Sequence, residues 1–428
     1  MSLIRSQRFL PLFLTQFFGA FNDNFLKNAL VVMAAYRLAA SGGEIGKTAN
    51  LAAAFFILPY FIFSAFAGQL ADKYDKARYV RLVKLAEILL MAGAAAGFLC
   101  RSIPLLLVIL ALMGTQSAFF SPAKYSLLPC LLKKEELLRG NAWIESGTYC
   151  SILAGAVAGS LLVCLPAGEW LCGGVLVILA FAGFLTSMKI PSVPSNVPDL
   201  KLDWNLFRQT LRILSLHIWK NRTVRLCVLS VSMFWMAGSL YIAQTPAFAK
   251  IRLGGDEKIC TLFFVIFSVG VAAGASLANR LFGKRDRFSD GLLIAAILLM
   301  ALLTFDLARI ASGPESAAVL PCREIFRTGL FYRLSADFFL IAVCGGFWAI
   351  PLQTLMQTAC PKAQLARVIA GNNIVNSFAM AFGTLLAAQL IRQGYGVPRI
   401  FLLLGIALLL SLPLTFPLLS REKTGRRT

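Results

Sequence analysis

Apolar residues run along this chain in long blocks, broken by short polar stretches that hold most of its Lys, Arg and Pro. A helix that crosses a bilayer needs about 20 predominantly apolar residues. Twelve runs reach that order: 9–36, 51–70, 82–100, 104–120, 142–165, 171–188, 224–248, 259–281, 291–308, 338–356, 368–391 and 400–419. They absorb most of the sequence, so the pattern predicts an all-α membrane protein of twelve spans. Several runs contain Gly or Pro (Gly19, Pro59, Gly155, Gly159, Gly274, Pro351, Gly383). In a membrane bundle such residues permit close helix contact.

The longest polar connection falls in the middle and divides the spans six and six. The expected organisation is a first bundle over 1–188, a linker over 189–223 and a second bundle over 224–428. The linker opens with Pro191, Pro194 and Pro198, which read as extended chain. Phe207, Leu211, Leu214 and Ile218 then recur at i, i+4, i+7 and i+11, with Arg208, Arg212, Lys220 and Arg222 off that stripe. This predicts an amphipathic helix on the lipid surface, with Trp204 and Trp219 at headgroup level. A helix packed under the bundle is the competing reading.

The two halves echo each other. GQLADKYDKAR at 68–78 is answered by GASLANR at 274–280 followed by Lys284 and Arg285. Pro122 with Gly140 and Asn141 is answered by Pro351 with Gly371 and Asn372. Parallel six-helix repeats place a substrate site near the midplane, between the repeats.

Composition sharpens this picture. Hydrophobic residues make up 58% of the 428 positions and charged residues 14%, with 41 Lys+Arg against 20 Asp+Glu. A soluble chain could not bury so much apolar surface, and a nucleic-acid reading of the basic excess lacks a polar face to carry it. Of the basic residues, 26 fall in the termini and alternate connections, including Lys73, Lys76 and Arg78, and 12 in the opposite set. The positive-inside rule puts the first set and both termini in the cytoplasm. Three lysines, Lys27, Lys84 and Lys124, lie within or at the edge of spans. The ten cysteines are scattered and read as apolar filler; Cys164 and Cys172 flank one short turn and are within reach of pairing. No signal-peptide cleavage site follows the first apolar stretch.

An ionisable residue inside a span is costly and marks function by default. The first span carries Gln16, Asp23 and Lys27 on one face, with Asn24 and Asn28 beside them. Asp23 and Lys27, four apart, are within pairing reach. Gln116 and Lys124 lie around the end of the fourth span; Asn141, Glu145 and Thr148 open the fifth. The second half offers uncharged stripes: Ser232, Trp235 and Ser239; Gln353 and Gln357; Asn372 and Asn376. Separated lysines and carboxylates suit a zwitterion, phosphate on lysine and amine on carboxylate. The alternative is that the charges only hold helices together. Glu87, in the third span, has no assigned direction; Asp290, Asp306 and Asp337 read as solvated span ends. Phe21, Phe120 and Trp235 are candidate apolar lining, with Gln16, Gln116, Gln353, Asn372 and Asn376 as polar lining.

The 68–78 segment resembles the signature loop of the major facilitator superfamily, G-x-L-A-D-r-x-G-r-[kr]. Gly68, Asp72 and Lys73 match in type, Asp75 stands where that family usually has Gly, and Lys76 and Arg78 supply the basic residues. The resemblance implies the major facilitator fold, with Asp72 accepting from a neighbouring helix N-terminus to hold one of two alternating states.

Further blocks are similar to the bacterial lysophospholipid transporter family: FGAFNDN at 18–24, SPAKY at 121–125, NAWIES at 141–146, WNL at 204–206, SMFW at 232–235, and GGF at 345–347 with Pro351 and Leu352. That resemblance implies a flippase of the bacterial inner membrane. It would move lysophospholipids such as 2-acyl-glycerophosphoethanolamine from the outer to the inner leaflet, where an acyltransferase re-acylates them. It also implies that Asp23, Lys124, Asn141 and Glu145 serve the headgroup, with Asn24 and Lys27 beside them. Some relatives carry an arginine in the seventh span; residues 234–249 here contain none.

The sole histidine, His217, lacks the aspartate of an H-x4-D acyltransferase motif, and no phosphate-binding loop is present. A transporter rather than an enzyme is therefore expected, without cofactor, metal or nucleic acid, and monomeric among membrane lipids. Two alternatives stay open: a proton-coupled transporter of a small solute or drug, and a non-transporting partner that presents lipid to an acyltransferase.

Overall fold

The computed structural model describes residues 3–34, 42–255, 257–282, 290–314, 316 and 320–420. Tyr36, Arg37, Lys284, Arg285, Arg287 and the basic tail residues from Arg421 onward lie outside the described residues, as do the side chains of Lys47 and Asp290.

Among the described residues, twelve helices of 21 residues or more form the fold. They are α1 Leu10–Val32, α2 Gly42–Lys73, α3 Lys76–Leu99, α4 Ile103–Leu131, α5 Leu137–Leu162, α6 Gly168–Met188, α7 Arg222–Leu253, α8 Glu257–Phe282, α9 Asp290–Ala311, α10 Gly329–Ala359, α11 Leu365–Arg392 and α12 Val397–Ser420. Each overlaps one predicted run. The ends differ most at α4, whose predicted run stops at Phe120. α4 continues through Pro122 and Pro129, so the SPAKY block is helical rather than a loop. Within a bundle, neighbouring groups re-satisfy the backbone that proline frees.

Ten of the twelve are apolar enough to cross a membrane by length and composition. The two that fall short, α1 and α5, carry Gln16, Asp23, Lys27, Asn141 and Glu145, and they pack on each other. A Cβ on Gly155 or Gly159 would sit within 2.5 Å of the Phe21 or Phe25 carbonyl oxygen, so α5 closes on α1 only because these positions are glycine. Gln16 spans that contact, donating to the Ile144 carbonyl at 3.4 Å and accepting from the Thr148 hydroxyl at 3.0 Å. The contact between these two least apolar helices thus satisfies Gln16, and packing inside the bundle lowers the cost of placing polar residues in hydrocarbon.

The chain divides into two compact units. One is Met1–Asn221 with Gln357–Ser377; the other is Arg222–Met356 with Phe378–Thr428. In the first, α1 packs on α5 and α6, α2 on α4, and α3 on α6 and α4. Phe25, Met91, Phe98, Leu110, Met113 and Leu176 form its buried centre. In the second, α12 packs on α9 and α7. There the Tyr241 and Thr304 hydroxyls meet at 2.5 Å beneath the Phe248 and Phe401 rings.

Candidate functional site

The polar residues of α1, α4 and α5 gather in the first unit. Asp23 is buried; its Oδ2 accepts from the Ser117 hydroxyl of α4 at 2.8 Å, while Oδ1 is buried without a hydrogen-bond partner. The expected Asp23–Lys27 pair is not formed. Lys27 Nζ donates instead to Asn24 Oδ1 at 3.3 Å and lies 5.9 Å from the Phe56 ring centroid. One turn of helix brings the two side chains to one face, but Ser117 takes the near oxygen of Asp23 and Asn24 takes the ammonium. Lys124 is half-buried with its ammonium 4.3 Å from the Tyr125 ring centroid, and no carboxylate lies within 4 Å of it among the described residues. The Tyr125 hydroxyl in turn donates to Glu145 Oε1 at 2.5 Å. The unit therefore holds a buried carboxylate oxygen without a hydrogen-bond partner, on Asp23, and an ammonium without a direct ion pair among the described residues, on Lys124.

Asn141 is placed differently from the headgroup role. It is fully buried in a reciprocal amide pair with Gln357: Nδ2 donates to Gln357 Oε1 at 2.7 Å, and Gln357 Nε2 donates back at 3.2 Å. Gln357 also donates to the Tyr125 carbonyl. Two turns into α11, Asn372 is buried with an unpartnered Oδ1, and Asn373 donates to the Ser121 hydroxyl at 2.9 Å. Asn376 is buried on the same helix. Gln353 and Trp235 belong to the second unit, Gln353 buried and Trp235 half-buried edge-on to Phe234.

Lys84 and Glu87 are more deeply placed than their sequence positions suggest. Both are fully buried and paired with each other inside the first unit. Asn22 and Gln116 donate to the two oxygens of Glu87, at 3.3 and 3.0 Å, and the Phe120 ring covers Lys84. A Cβ on Gly19 would lie 2.8 Å from Lys84 Nζ, so this glycine makes the room. Gln116 and Phe120, expected as cavity lining, are committed to this pair.

A second constellation joins the end of α2 to the start of α11. Asp72 Oδ1 accepts from the Ala366 amide at 3.1 Å; Oδ2 accepts from the Arg367 amide at 3.3 Å and from Arg367 Nε at 2.9 Å. A carboxylate at a helix N-terminus satisfies orphan amides and the helix dipole together. Gly68, one turn earlier, permits the approach, since a Cβ there would meet Ala370 Cβ at 2.7 Å. Lys76, counted above among solvated loop charges, is buried, donating to the Ala71 carbonyl at 2.6 Å with Nζ 3.7 Å from Asp72. Asp75 caps α3 through the Arg78 amide and accepts from Ser192 of the linker. Lys73 lies near the Tyr74 ring, and Arg78 is exposed.

The linker straps this end of the unit. Lys76 N–H donates to the Val193 carbonyl, Ser195 donates to the Asp72 carbonyl, and Gln69 exchanges two hydrogen bonds with the Asp203 backbone. The linker helix runs Leu206–Arg212, then continues as a π-helical turn over Ile213–Trp219. That wider turn breaks the 3.6-residue period. Ile213 and Ile218 therefore face inward, against Gly371 and Ile374, while Phe207 and Leu211 face outward. One face of this helix thus packs under the bundle, and the other is exposed. His217 lies between Gln364 and Arg367, with Nδ1 3.1 Å from Gln364 Oε1 and Nε2 3.5 Å from Arg367 Nη1. Burial and the Arg367 guanidinium push its pKa below the ordinary value.

In the second unit, Asp306 pairs with Arg333 as a span-end residue would. Asp337 does not read as expected: it is 6% exposed and its Oδ2 has no partner. It sits one helical turn inside Arg333, where the α10 face turns inward. Cys164 and Cys172 are both free thiols, the first exposed and the second buried, so they do not pair.

The Major Facilitator Superfamily profile matches residues 12–326, well over half of the chain. The chain belongs to the major facilitator superfamily. Within that superfamily it is similar to the lysophospholipid transporter LplT of Escherichia coli O1:K1 / APEC, at 27% identity over 410 residues covering 94% of this chain and 92% of that one. The protein of the same name from Serratia proteamaculans (strain 568) is 26% identical over 367 residues, covering 83% and 81%. Solved major facilitator structures share the fold. The human organic anion transporter MFSD10 (TETRAN) gives a TM-score of 0.78 at 14% identity, covering 97% of this chain and all of that one. The transporter FucP in the outward conformation gives 0.68 at 13%, covering 97% and 99%.

Proposed function

We propose that this major facilitator protein is a lysophospholipid transporter. It would carry one-tailed lipids such as 2-acyl-glycerophosphoethanolamine from the outer to the inner leaflet of a bacterial inner membrane by alternating access. The supporting observation is a buried Asp23 carboxylate oxygen without a hydrogen-bond partner and a Lys124 ammonium without a direct ion pair in the same unit, in a chain similar to LplT proteins over 94% of its length. An ethanolamine ammonium suits the first group and a phosphate the second. Glu145 is engaged by Tyr125 and adds negative charge beside Lys124; Asn24 and Lys27 extend the polar face of α1.

The lipid's tail dictates the rest. Bringing a methylene from hydrocarbon into water costs about 0.8 kcal/mol, so a chain of roughly sixteen carbons must stay in an apolar environment throughout. A headgroup path that opens sideways to lipid meets that demand. Bundles 1–188 and 224–428 act as the moving halves. The basic side of the protein, with both termini, faces the cytoplasm. There an acyltransferase consumes the product; the transporter itself carries out no covalent step and acts as a monomer.

The test is transport in proteoliposomes of lysophosphatidylethanolamine against glycerophosphoethanolamine, which has the same headgroup and no tail. Movement of the lipid alone supports the reading. Equal movement of both, or a requirement for a proton gradient, favours a small-solute transporter.

A further inference from the structure

The membrane-facing side of the first unit carries a groove of about 750 Å³ between the end of α2, α3 and α4. Leu82, Val83, Ala86 and Leu89 of α3 form one wall, and Leu112 and Phe119 of α4 the other. Its rims stand open: Leu82 is 66% exposed and Leu89 71%. In a chain that spans a bilayer, this groove faces lipid.

Its one charged end is distinctive. Asp75 and Arg78 close the groove at the start of α3. Asp75 is committed to Ser192 and to the Arg78 amide. Arg81, one turn on, donates to the Ser187 and Ile190 carbonyls. The exposed Arg78 guanidinium has no carboxylate within 4 Å among the described residues. From Arg78 to Leu89 is eleven residues of helix, or about 17 Å at the α-helical rise. The hydrocarbon depth of one leaflet is about 15 Å, half of the bilayer core.

The linker marks the same level independently. Trp204, 75% exposed, lies 4.8 Å from the Phe66 ring, and Phe66 meets Phe119 on the groove wall. Phe207, also 75% exposed, follows it. Exposed Trp beside a basic residue is the signature of the membrane–water interface. The charged end of the groove and the aromatic belt therefore coincide.

We propose that the groove is a binding site for a diacyl phospholipid of the leaflet on the linker side, with one acyl chain along α3 and α4 and the phosphate on Arg78. Guanidinium and phosphate match as a two-pronged contact. The open rims leave the second chain in the bilayer. The site lies apart from Asp23 and Lys124 and takes a membrane lipid rather than the transported one. Because Arg78 lies in the first turn of α3, just beyond Asp72, Asp75 and Lys76, an occupied groove ties the α2–α3 loop to the membrane.

Native mass spectrometry of the full chain in mild detergent, titrated with dioleoylphosphatidylglycerol, tests this. Wild type is expected to retain one tightly held lipid. Arg78→Gln should weaken that lipid by about tenfold, the loss of one charge-assisted contact, and Arg78→Lys should restore most of it. Ala86→Trp, which fills the groove from an exposed position, should abolish it, whereas Leu298→Trp, on the exposed face of α9, should not. Equal retention by Ala86→Trp and wild type overturns the proposal. So does loss of lysophosphatidylglycerol but not of the diacyl lipid, which would assign the groove to the transported species. The readout is binding, so failure of the transport reading leaves the result intact.

Discussion

Asp72 in the last turn of α2 and Arg367 at the start of α11, 295 positions apart, are joined at 2.9 Å, and the same carboxylate caps the helix that carries its partner. Asp72→Asn keeps the shape and removes the charge, leaving Arg367 and the buried Lys76 uncompensated. Cys360, buried at the end of α10 and close enough to feel both Asp72 and Arg367, reports on the contact. Its labelling by a maleimide in membranes is expected to rise about tenfold, the effect of losing about 1.4 kcal/mol. An unchanged rate would show that the pair holds nothing closed.

Lys84 and Glu87 make a stability prediction. Removing one partner of a buried pair leaves an uncompensated charge and costs about 3–5 kcal/mol, whereas replacing both by apolar groups is often neutral. Lys84→Ala should therefore lower the unfolding temperature in detergent sharply, while Lys84→Met with Glu87→Leu should recover most of the loss. Equal destabilisation by both would mean that the pair is needed as a pair. Lys84→Ala is for the same reason a poor control for transport; the exposed Lys134 serves better.

His217 predicts a pH dependence of the linker. Its pKa in the docked state is lowered, first by burial and then by Arg367 and Arg212, while Gln364 opposes the shift. The undocked linker thus binds a proton more readily than the docked one. Docking is fully favourable above the ordinary histidine pKa of about 6.5 and weakens as pH falls below it. Hydrogen exchange over the linker helix, taken relative to its intrinsic rate, should accelerate between pH 7 and 5.5 in wild type. In His217→Gln, which keeps a hydrogen-bonding group without a titration in that range, it should follow only the intrinsic rate.

Asp23 and Lys124 predict headgroup selectivity. Asp23→Asn retains a partner for Ser117 but cannot hold an ammonium as a charge. Lysophosphatidylethanolamine transport should fall about 10- to 100-fold, equivalent to one charged hydrogen bond of roughly 1.5–3 kcal/mol, while lysophosphatidylglycerol falls less. Lys124→Ala should depress both, since both carry the phosphate, and Lys134→Ala neither. Equal losses across headgroups in Asp23→Asn would remove that carboxylate from ammonium recognition.

The fold was legible because its signal is one-dimensional. Apolar length locates a span without knowledge of its neighbours, and every one of the twelve helices overlaps a predicted run. The polar sites were legible by composition and not by partner. Asp23 and Lys27 share a face, yet Ser117 decides which oxygen is taken, and a serine in an apolar span carries no signal of its own. Lys76 and Lys84 look like loop and span-edge charges, because burial depends on what α11 or α6 brings alongside. Arg367 carries no signal of its own in a basic connection; only the chain's return 295 residues later makes it the partner of Asp72. Gln357 was seen as one member of an amide stripe, but its pairing with Asn141 needs two helices in register. The linker helix misled by period: a π turn at Ile213–Trp219 rotates Ile218 away from the stripe that Phe207 and Leu211 define.

The central claim is that this chain by itself moves a one-tailed phospholipid across a bilayer. The most direct test is the purified protein reconstituted in vesicles, following transbilayer movement of labelled lysophosphatidylethanolamine with no acyltransferase present. The account predicts movement well above protein-free vesicles, largely lost in Asp23→Asn and retained in Lys134→Ala. A rate equal to that of protein-free vesicles, with the protein folded and inserted, would contradict it.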